Sequence, residues 1–143
     1  MISWIRRSRL FSRRTPAEST WAIVKWWELR RIPYNLIVGL TGIVGGAVSM
    51  AFALAAERRG LEVPWPDPPL FVLVFVGLYG IAANVCFTGG WMSELMARRI
   101  WGARAEAYGE ISFCVGMVFS VLLTLLPTVL FGVLVGIQLL SKR

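Results

Sequence analysis

Three long stretches of the chain carry no charged side chain, and they restrict its fold more than any other feature: residues 34–56, 70–90 and 111–140. About twenty apolar residues in a helix, at ~1.5 Å per residue, cross the ~30 Å hydrocarbon core of a bilayer. The composition agrees, because 57% of the residues are hydrophobic and 16% are charged, against ~45–50% and ~25% in soluble domains. We therefore predict an all-α integral membrane protein, a single membrane domain over residues 1–143 with three transmembrane helices.

The third stretch is longer than a membrane requires. Its thirty residues would form ~45 Å of helix, and Pro127 lies in its second half. We favour one long, tilted helix that is kinked near Pro127. The alternative is a hairpin that turns at Pro127 and Thr128 and adds a fourth span, but its last arm would hold only about thirteen residues.

The segment before the first span is basic and amphipathic. Residues 1–33 hold eight Lys/Arg and two Glu, and residues 15–18 read Thr-Pro-Ala-Glu, which is typical of a helix start. We predict an amphipathic surface helix from there to about Ile32, where Pro33 ends or kinks it. Residues 1–14 form either a short membrane-surface segment or a disordered basic tail.

Residues 91–110 predict a second amphipathic helix at the cytoplasmic surface. The apolar residues of one face recur at helical spacing: Met92, Met96, Ile100, Ala103 and Ala107. Glu94 and Arg98 are four residues apart, and such a pair on an exposed helix contributes only a few tenths of a kcal/mol.

Tryptophan and arginine side chains flank the apolar stretches, as is typical of membrane-interface anchors. The predicted anchors are Trp21, Trp26, Trp27, Arg30, Arg31, Trp91 and Trp101. With the N-terminus inside, the cytoplasmic segments hold eleven Lys/Arg and the outer segments four. The positive-inside rule therefore predicts a multi-pass protein of the cell membrane, the inner membrane in a Gram-negative cell, with a cytoplasmic N-terminus and Trp65 outside.

Small and weakly polar residues at spacings of four predict where helices pack closely. The candidates for helix packing or oligomer contact are Gly42, Gly46, Asn84, Gly116, Ser120, Gly132 and Gly136. An amide in hydrocarbon needs a protein partner, so we expect the Asn84 side chain to bond the Thr41 hydroxyl, the Ser120 hydroxyl or a carbonyl beside Gly42 or Gly116. Packing within one chain and packing between copies both remain open.

The sequence carries no pattern that predicts catalysis, cofactor binding or metal binding. It contains no His, and the three stretches contain no ionisable Asp, Glu, Lys or Arg, so proton-coupled transport and acid–base catalysis are disfavoured. Cys86 and Cys114 lie in apolar stretches, where thiols act as small hydrophobic side chains. The cations flank spans, so anionic lipid headgroups are expected partners and nucleic acid is not.

The stretch from Trp26 to Gly39 reads Trp-Trp-Glu-Leu-Arg-Arg, then Ile-Pro, then Tyr-Asn-Leu-Ile-Val-Gly. It resembles the opening of certain small, uncharacterised bacterial multi-spanning membrane proteins. The resemblance implies a bacterial membrane protein and no particular activity. Two functions are consistent with the sequence. The first is a non-enzymatic assembly or regulatory subunit that binds protein partners or forms a homo-oligomer. The second is a homo-oligomeric pore of the holin or phage-defence type, although few polar residues are available to line it.

Overall fold

The computed structural model describes residues 19–61 and 70–141, and these are helical with no strand among them. Helix α1 spans Thr20–Glu57, α2 spans Leu70–Trp101 and α3 spans Tyr108–Ser141, with a short 3₁₀ helix, Gly102–Ala105, before α3. All three α-helices are long and apolar enough to cross a membrane. The prediction of an all-helical chain with three helices that can span a membrane is therefore confirmed. The predicted start at Thr15 and the alternatives for residues 1–14 lie outside the described residues.

Both predicted proline boundaries lie inside continuous helices. Helix α1 passes through Pro33 and α3 passes through Pro127. A proline removes one backbone hydrogen-bond donor. Helices of 38 and 34 residues keep their other backbone hydrogen bonds on both sides of the proline. The hairpin at Pro127 is therefore wrong, and a kink there stays a prediction.

The predicted separate surface helices are continuous with the spans, which corrects two predicted boundaries. Residues 20–32 form the first part of α1, and residues 91–101 form the last part of α2. Helix α2 ends where Gly102 adopts a φ of 54°, a left-handed conformation that glycine takes without strain. The remainder of the predicted 91–110 helix is the 3₁₀ helix, a turn and the start of α3.

Helix α1 ends in a hydrogen-bonded glycine cap of the Schellman type. Gly60, with φ 70°, donates its N–H to the Glu57 carbonyl at 2.9 Å, and Leu61 donates to the Ala56 carbonyl at 3.1 Å. The motif joins a hydrophobic contact to these bonds, and Leu61 indeed packs in a small buried cluster with Ala56 and Val135. The cap therefore fixes where the chain leaves α1.

The described chain forms two compact units. The first unit contains residues 19–35 and Ile81–Val118. Its buried hydrophobic residues are mostly aromatic or small: Ile23, Trp26, Trp27, Tyr34, Phe87, Ala97, Ala105 and Phe113. The second unit contains the described residues among Leu36–Gly80 and Phe119–Arg143. Its buried hydrophobic residues are Val38, Ala53, Ala56, Leu61 and Val135.

Most large apolar side chains of the uncharged stretches face outward. Within the most apolar 18-residue segment of each helix, only 17% of the residues are buried in α1, 6% in α2 and 6% in α3. Water would not tolerate so much exposed apolar surface on a monomer, whereas lipid chains surround such helices without cost. The burial pattern therefore supports a multi-pass membrane protein.

Candidate functional site

The interior of the first unit is built on an aromatic cluster that contains Trp26, Trp27, Phe87, Phe113 and Tyr34. Trp27 lies edge-to-face against Trp26, Phe87 and Phe113, with ring centroids 5.6, 5.4 and 5.8 Å apart. Tyr34 packs on Phe87 at 4.8 Å. Each edge-to-face aromatic pair stabilises a fold by ~0.5–1.5 kcal/mol in addition to the stabilisation from burying the ring surface. Phe87 and Phe113 likewise each contact three rings of the cluster, so these two rings and Trp27 form its centre.

A buried carboxylate, Glu94, meets this cluster. Its side chain has no exposed surface, and its Oε2 accepts the Trp27 Nε1–H at 2.7 Å. Its Oε1 accepts from Arg98 Nε at 3.0 Å and lies 2.9 Å from Arg98 Nη2. A buried charge needs both a counter-charge and hydrogen bonds, and Glu94 has both. Through the bond to Trp27, Glu94 joins α2 to α1 in this unit.

Two glycines allow the close approach of the helices around Glu94 and Trp27. A Cβ at Gly109 would lie 2.6 Å from Cδ and 2.8 Å from Oε1 of Glu94. A Cβ at Gly90 would lie 2.7 Å from two carbons of the Trp27 ring. Carbon atoms do not approach so closely without a shift of one partner, so both positions require glycine in this packing.

Arg30 is a buried cation that is held by the neighbouring aromatic ring. Its guanidinium carbon lies 3.8 Å above the Trp26 ring, and its Nη1 donates to the Trp26 carbonyl at 3.1 Å. Arginine stacks on indole through a cation–π interaction, which strengthens when the pair is desolvated. Arg30 therefore belongs to the interior of the first unit.

A second polar group, which we call the Glu28–Arg31 patch, consists of Glu28, Arg31, Asn35, Asn84 and Thr88. Arg31 binds the Glu28 carboxylate through Nε and Nη2, both at 2.8 Å. It also donates to Thr88 Oγ1 at 2.9 Å and to Asn84 Oδ1 at 3.3 Å. The amides of Asn35 and Asn84 bond each other in both directions at 3.1 Å.

The partners of the Asn84 side chain differ from the predicted ones. They include Asn35 and Arg31, while the hydroxyl of Thr41 donates to the Ile37 carbonyl at 2.8 Å. The reason is the continuity of α1 through Pro33, which keeps Asn35 on the helix face that meets α2. The expectation that Asn84 bonds protein rather than facing lipid alone is confirmed.

Hydroxyl groups join the helices in the second unit. Tyr79 shares a 2.6 Å hydrogen bond with Thr124 Oγ1 and donates to the Ser120 carbonyl at 3.2 Å. Ser49 donates to Thr128 at 3.4 Å. The hydroxyl face of α3 is thus engaged inside the chain.

The predicted packing glycines fall into two groups. Gly42 and Gly132 lie against neighbouring side chains. A Cβ added at Gly42 would lie 3.6 Å from Thr124 Cγ2, and one added at Gly132 would lie 3.2 Å from a carbon of Phe52. The others have no neighbouring atom within 4 Å of the Cβ position: Gly46, Gly116 and Gly136. Contact of these three with a second copy or a partner stays a prediction.

The predicted interface anchors differ in burial. Trp21 and Trp101 are exposed, and Trp91 is half-buried. Trp26, Trp27 and Arg30 are buried in the first unit, and a position of these anchors at the membrane interface stays a prediction. The spacing of aromatic residues identifies one face of a helix, but it does not say whether protein or lipid covers that face.

Sequence reasoning misjudged the burial of Glu94 and missed several other residues of these contacts, Gly109 and Tyr79 among them. Glu94 was expected to form an exposed ion pair with Arg98, and the spacing of these two residues was the only indication of its role. No sequence pattern indicated a role for Gly109 or Tyr79. Their partners are distant in the sequence, and the contacts depend on how the helices are aligned against each other. The contact between Trp27 and Glu94 joins residues 67 positions apart, which no local pattern predicts.

Comparison with known proteins adds no further assignment: no family model, no curated protein and no solved structure matches the chain. Within the described residues no group of three or more His, Cys, Asp or Glu is arranged to hold a metal ion. A carboxylate that is fully buried and bonded to an indole and a guanidinium is suited to positioning helices.

Proposed function

We propose that the protein is a small, non-enzymatic integral membrane subunit that assembles or regulates a membrane complex by binding a protein partner. The observation that carries the proposal is an apolar stripe at the end of α2, formed by Met92, Met96 and Ile100. These side chains are 51%, 64% and 67% exposed. They lie on a different face of α2 from the buried Glu94 and Ala97.

Lipid alone does not cover this stripe. When residues 70–90 fill the ~30 Å hydrocarbon core, Ile100 lies ~15 Å beyond its edge, at ~1.5 Å per residue. The headgroup region is only ~5–8 Å thick on each side, and an average tilt of ~20° shortens the helix projection only slightly. Met96 and Ile100 therefore extend past the headgroups, where an apolar protein surface is the suitable cover.

The charges beside the stripe indicate the chemistry of the partner. Arg99 is exposed and lies three positions from Met96, on the neighbouring helix surface. A second copy of this chain would bring a second Arg99 to the same contact, which like-charge repulsion disfavours. We infer a partner helix that presents apolar residues beside a carboxylate. Methionine suits such a surface because its flexible side chain adapts to the partner.

The hydrogen bonds inside the chain favour this function over the alternative of a homo-oligomeric pore. The residues available to line a polar lumen include Ser49, Asn84, Ser120 and Thr124. Ser49 is bonded to Thr128, Asn84 to Asn35, and the Ser120 carbonyl and Thr124 hydroxyl to Tyr79. A water-filled lumen lined by Ser49, Asn84 and Thr124 would require their side chains to leave these bonds.

We further propose a bacterial inner-membrane location with a cytoplasmic N-terminus, on the strength of the charge asymmetry. Helix packing with partner spans would use the uncovered glycines, Gly46, Gly116 and Gly136, which let helix backbones approach closely. A single added cysteine at Trp65, in a Cys86→Ser, Cys114→Ser background, tests the orientation. We expect labelling by a membrane-impermeant maleimide in intact cells, and labelling only in broken cells would contradict it.

Site-specific photocrosslinking tests the partner. A photoreactive amino acid at Met96 should give a discrete protein adduct, and the charge reversal Arg99→Glu should abolish that adduct. The same amino acid at Lys25, which is exposed on α1, should not give it. Adducts with lipid only, or an adduct that Arg99→Glu leaves unchanged, would contradict the proposal. Release of trapped dye from liposomes that contain the purified protein would favour the pore.

A further inference from the structure

The Glu28–Arg31 patch lies at the level where the apolar part of two helices ends. On α1 the patch ends at Asn35, and residues 36–56 after it are uncharged. That stretch forms ~31 Å of helix, which matches the ~30 Å hydrocarbon core. On α2 Thr88 lies two residues before the end of the uncharged stretch at Gly90. The Arg31 guanidinium bonds Thr88, and the Glu28 carboxylate bonds Arg31, so these charged groups lie at the level of the phospholipid headgroups although the Glu28 backbone lies farther out.

The patch presents one charge of each sign to its surroundings. The Glu28 side chain is 44% exposed and the Arg31 side chain is 27% exposed. The two charges cancel, so the patch has no net attraction for an anionic headgroup. It complements a zwitterionic headgroup, whose phosphate faces the guanidinium while its cationic end faces the carboxylate.

Donor groups remain for the phosphate of such a headgroup. Arg31 has five N–H donors, and four of them are engaged with Glu28, Thr88 and Asn84, which leaves one on Nη1. The Asn35 side chain is exposed, and one of its two N–H donors binds Asn84. Both remaining donors belong to residues that the hydrogen bonds of the patch already hold in place, which favours binding over free side chains.

The carboxylate selects the other end of the headgroup. The Glu28 oxygens accept hydrogen bonds, and a primary ammonium has three N–H donors, whereas a quaternary ammonium has none. We propose that the Glu28–Arg31 patch is a binding site for a zwitterionic phospholipid with a primary ammonium headgroup, chemically a phosphatidylethanolamine. Its phosphate accepts from Arg31 and Asn35, and its ammonium donates to Glu28. The proposal does not depend on the protein partner proposed above.

Native mass spectrometry of the full-length protein in detergent tests the site with defined lipids. The probes are phosphatidylethanolamine, its N-methyl and N,N-dimethyl forms, and phosphatidylcholine, all with the same acyl chains. We expect the affinity to fall along this series and to be about tenfold lower for phosphatidylcholine, since charge-assisted hydrogen bonds are lost. Equal affinity across the series would overturn the proposal, and this test needs no variant.

A substitution that removes the carboxylate charge locates the binding. Glu28→Gln should lower phosphatidylethanolamine affinity by about threefold to tenfold, because the carboxylate is partly exposed and screened. It should leave phosphatidylglycerol binding unchanged or raise it, because the patch then carries a net positive charge. Lys25→Gln, on an exposed position of the same helix, should leave phosphatidylethanolamine affinity at the wild-type value. An unaffected Glu28→Gln protein, or an equal loss for both lipids, would overturn the proposal.

Discussion

Replacement of Gly109 by alanine should break the contact that closes the first unit. The added methyl would lie 2.6 Å from Cδ of Glu94, and that side chain is fully buried and held by Trp27 and Arg98. The carboxylate therefore has no open direction in which to move, and its displacement lengthens the 2.7 Å bond to the Trp27 indole.

The expected cost follows from two opposing effects. Alanine favours a helix over glycine by up to ~1 kcal/mol. A buried hydrogen bond to a charged group contributes about 1.5–3 kcal/mol, and an overpacked methyl costs about 1–3 kcal/mol. If the bond is lost, the two costs together exceed the helix gain by at least ~1.5 kcal/mol, so we expect Gly109→Ala to lower the free energy of unfolding by about 1.5 kcal/mol or more.

Gly116→Ala on the same helix is the matched control. No atom lies within 4 Å of its Cβ position, so the free energy of unfolding should stay unchanged or rise by up to ~1 kcal/mol. SDS-induced unfolding in mixed micelles, followed by tryptophan fluorescence and far-UV circular dichroism, measures both variants. A Gly109→Ala protein that is as stable as Gly116→Ala would refute the reasoning.

Two further substitutions test contacts elsewhere in the chain by the same unfolding measurement. Gly45→Ala places a methyl 2.7 Å from Thr128 Oγ1 and should destabilise the protein by about 1 kcal/mol or more. Gly46→Ala is the control, because its methyl would enter open space, and it should not destabilise the protein. Equal effects of the two substitutions would argue against this packing. Asn84→Leu removes the amide pair with Asn35 and should lower the free energy of unfolding by about 0.6–1.7 kcal/mol, so an unchanged value would contradict a bonded Asn84.

The sequence predicts the helices of this protein better than their contacts. The three uncharged stretches identify the spans, because hydrocarbon requires long apolar helices whatever their neighbours are. Helix ends are less predictable. Proline at Pro33 and Pro127 removes one hydrogen bond each, and the long helices on either side tolerate that loss, whereas the positive φ of Gly102 does end α2.

The candidate site was only partly predictable. The spacing of Glu94 and Arg98 correctly indicated a pair, but the expected weak, exposed pair is a buried one. Its burial depends on Trp27, which sequence reasoning assigned to the membrane surface. An indole with a polar N–H suits a headgroup layer and a buried carboxylate equally well, so composition alone does not separate the two positions.

The bond between Trp27 and Glu94 joins α1 to the buried face of α2 in the first unit. A double-mutant cycle with Trp27→Phe and Glu94→Gln tests it most directly, because Phe keeps an aromatic ring without the N–H and Gln keeps the shape of Glu without the charge. Gln can still accept a neutral hydrogen bond, so the cycle measures the excess of the charge-assisted bond; measured as free energies of unfolding in mixed micelles, the two effects should be coupled by about 1 kcal/mol or more. Effects that add within ~0.5 kcal/mol would contradict a direct bond between the two side chains.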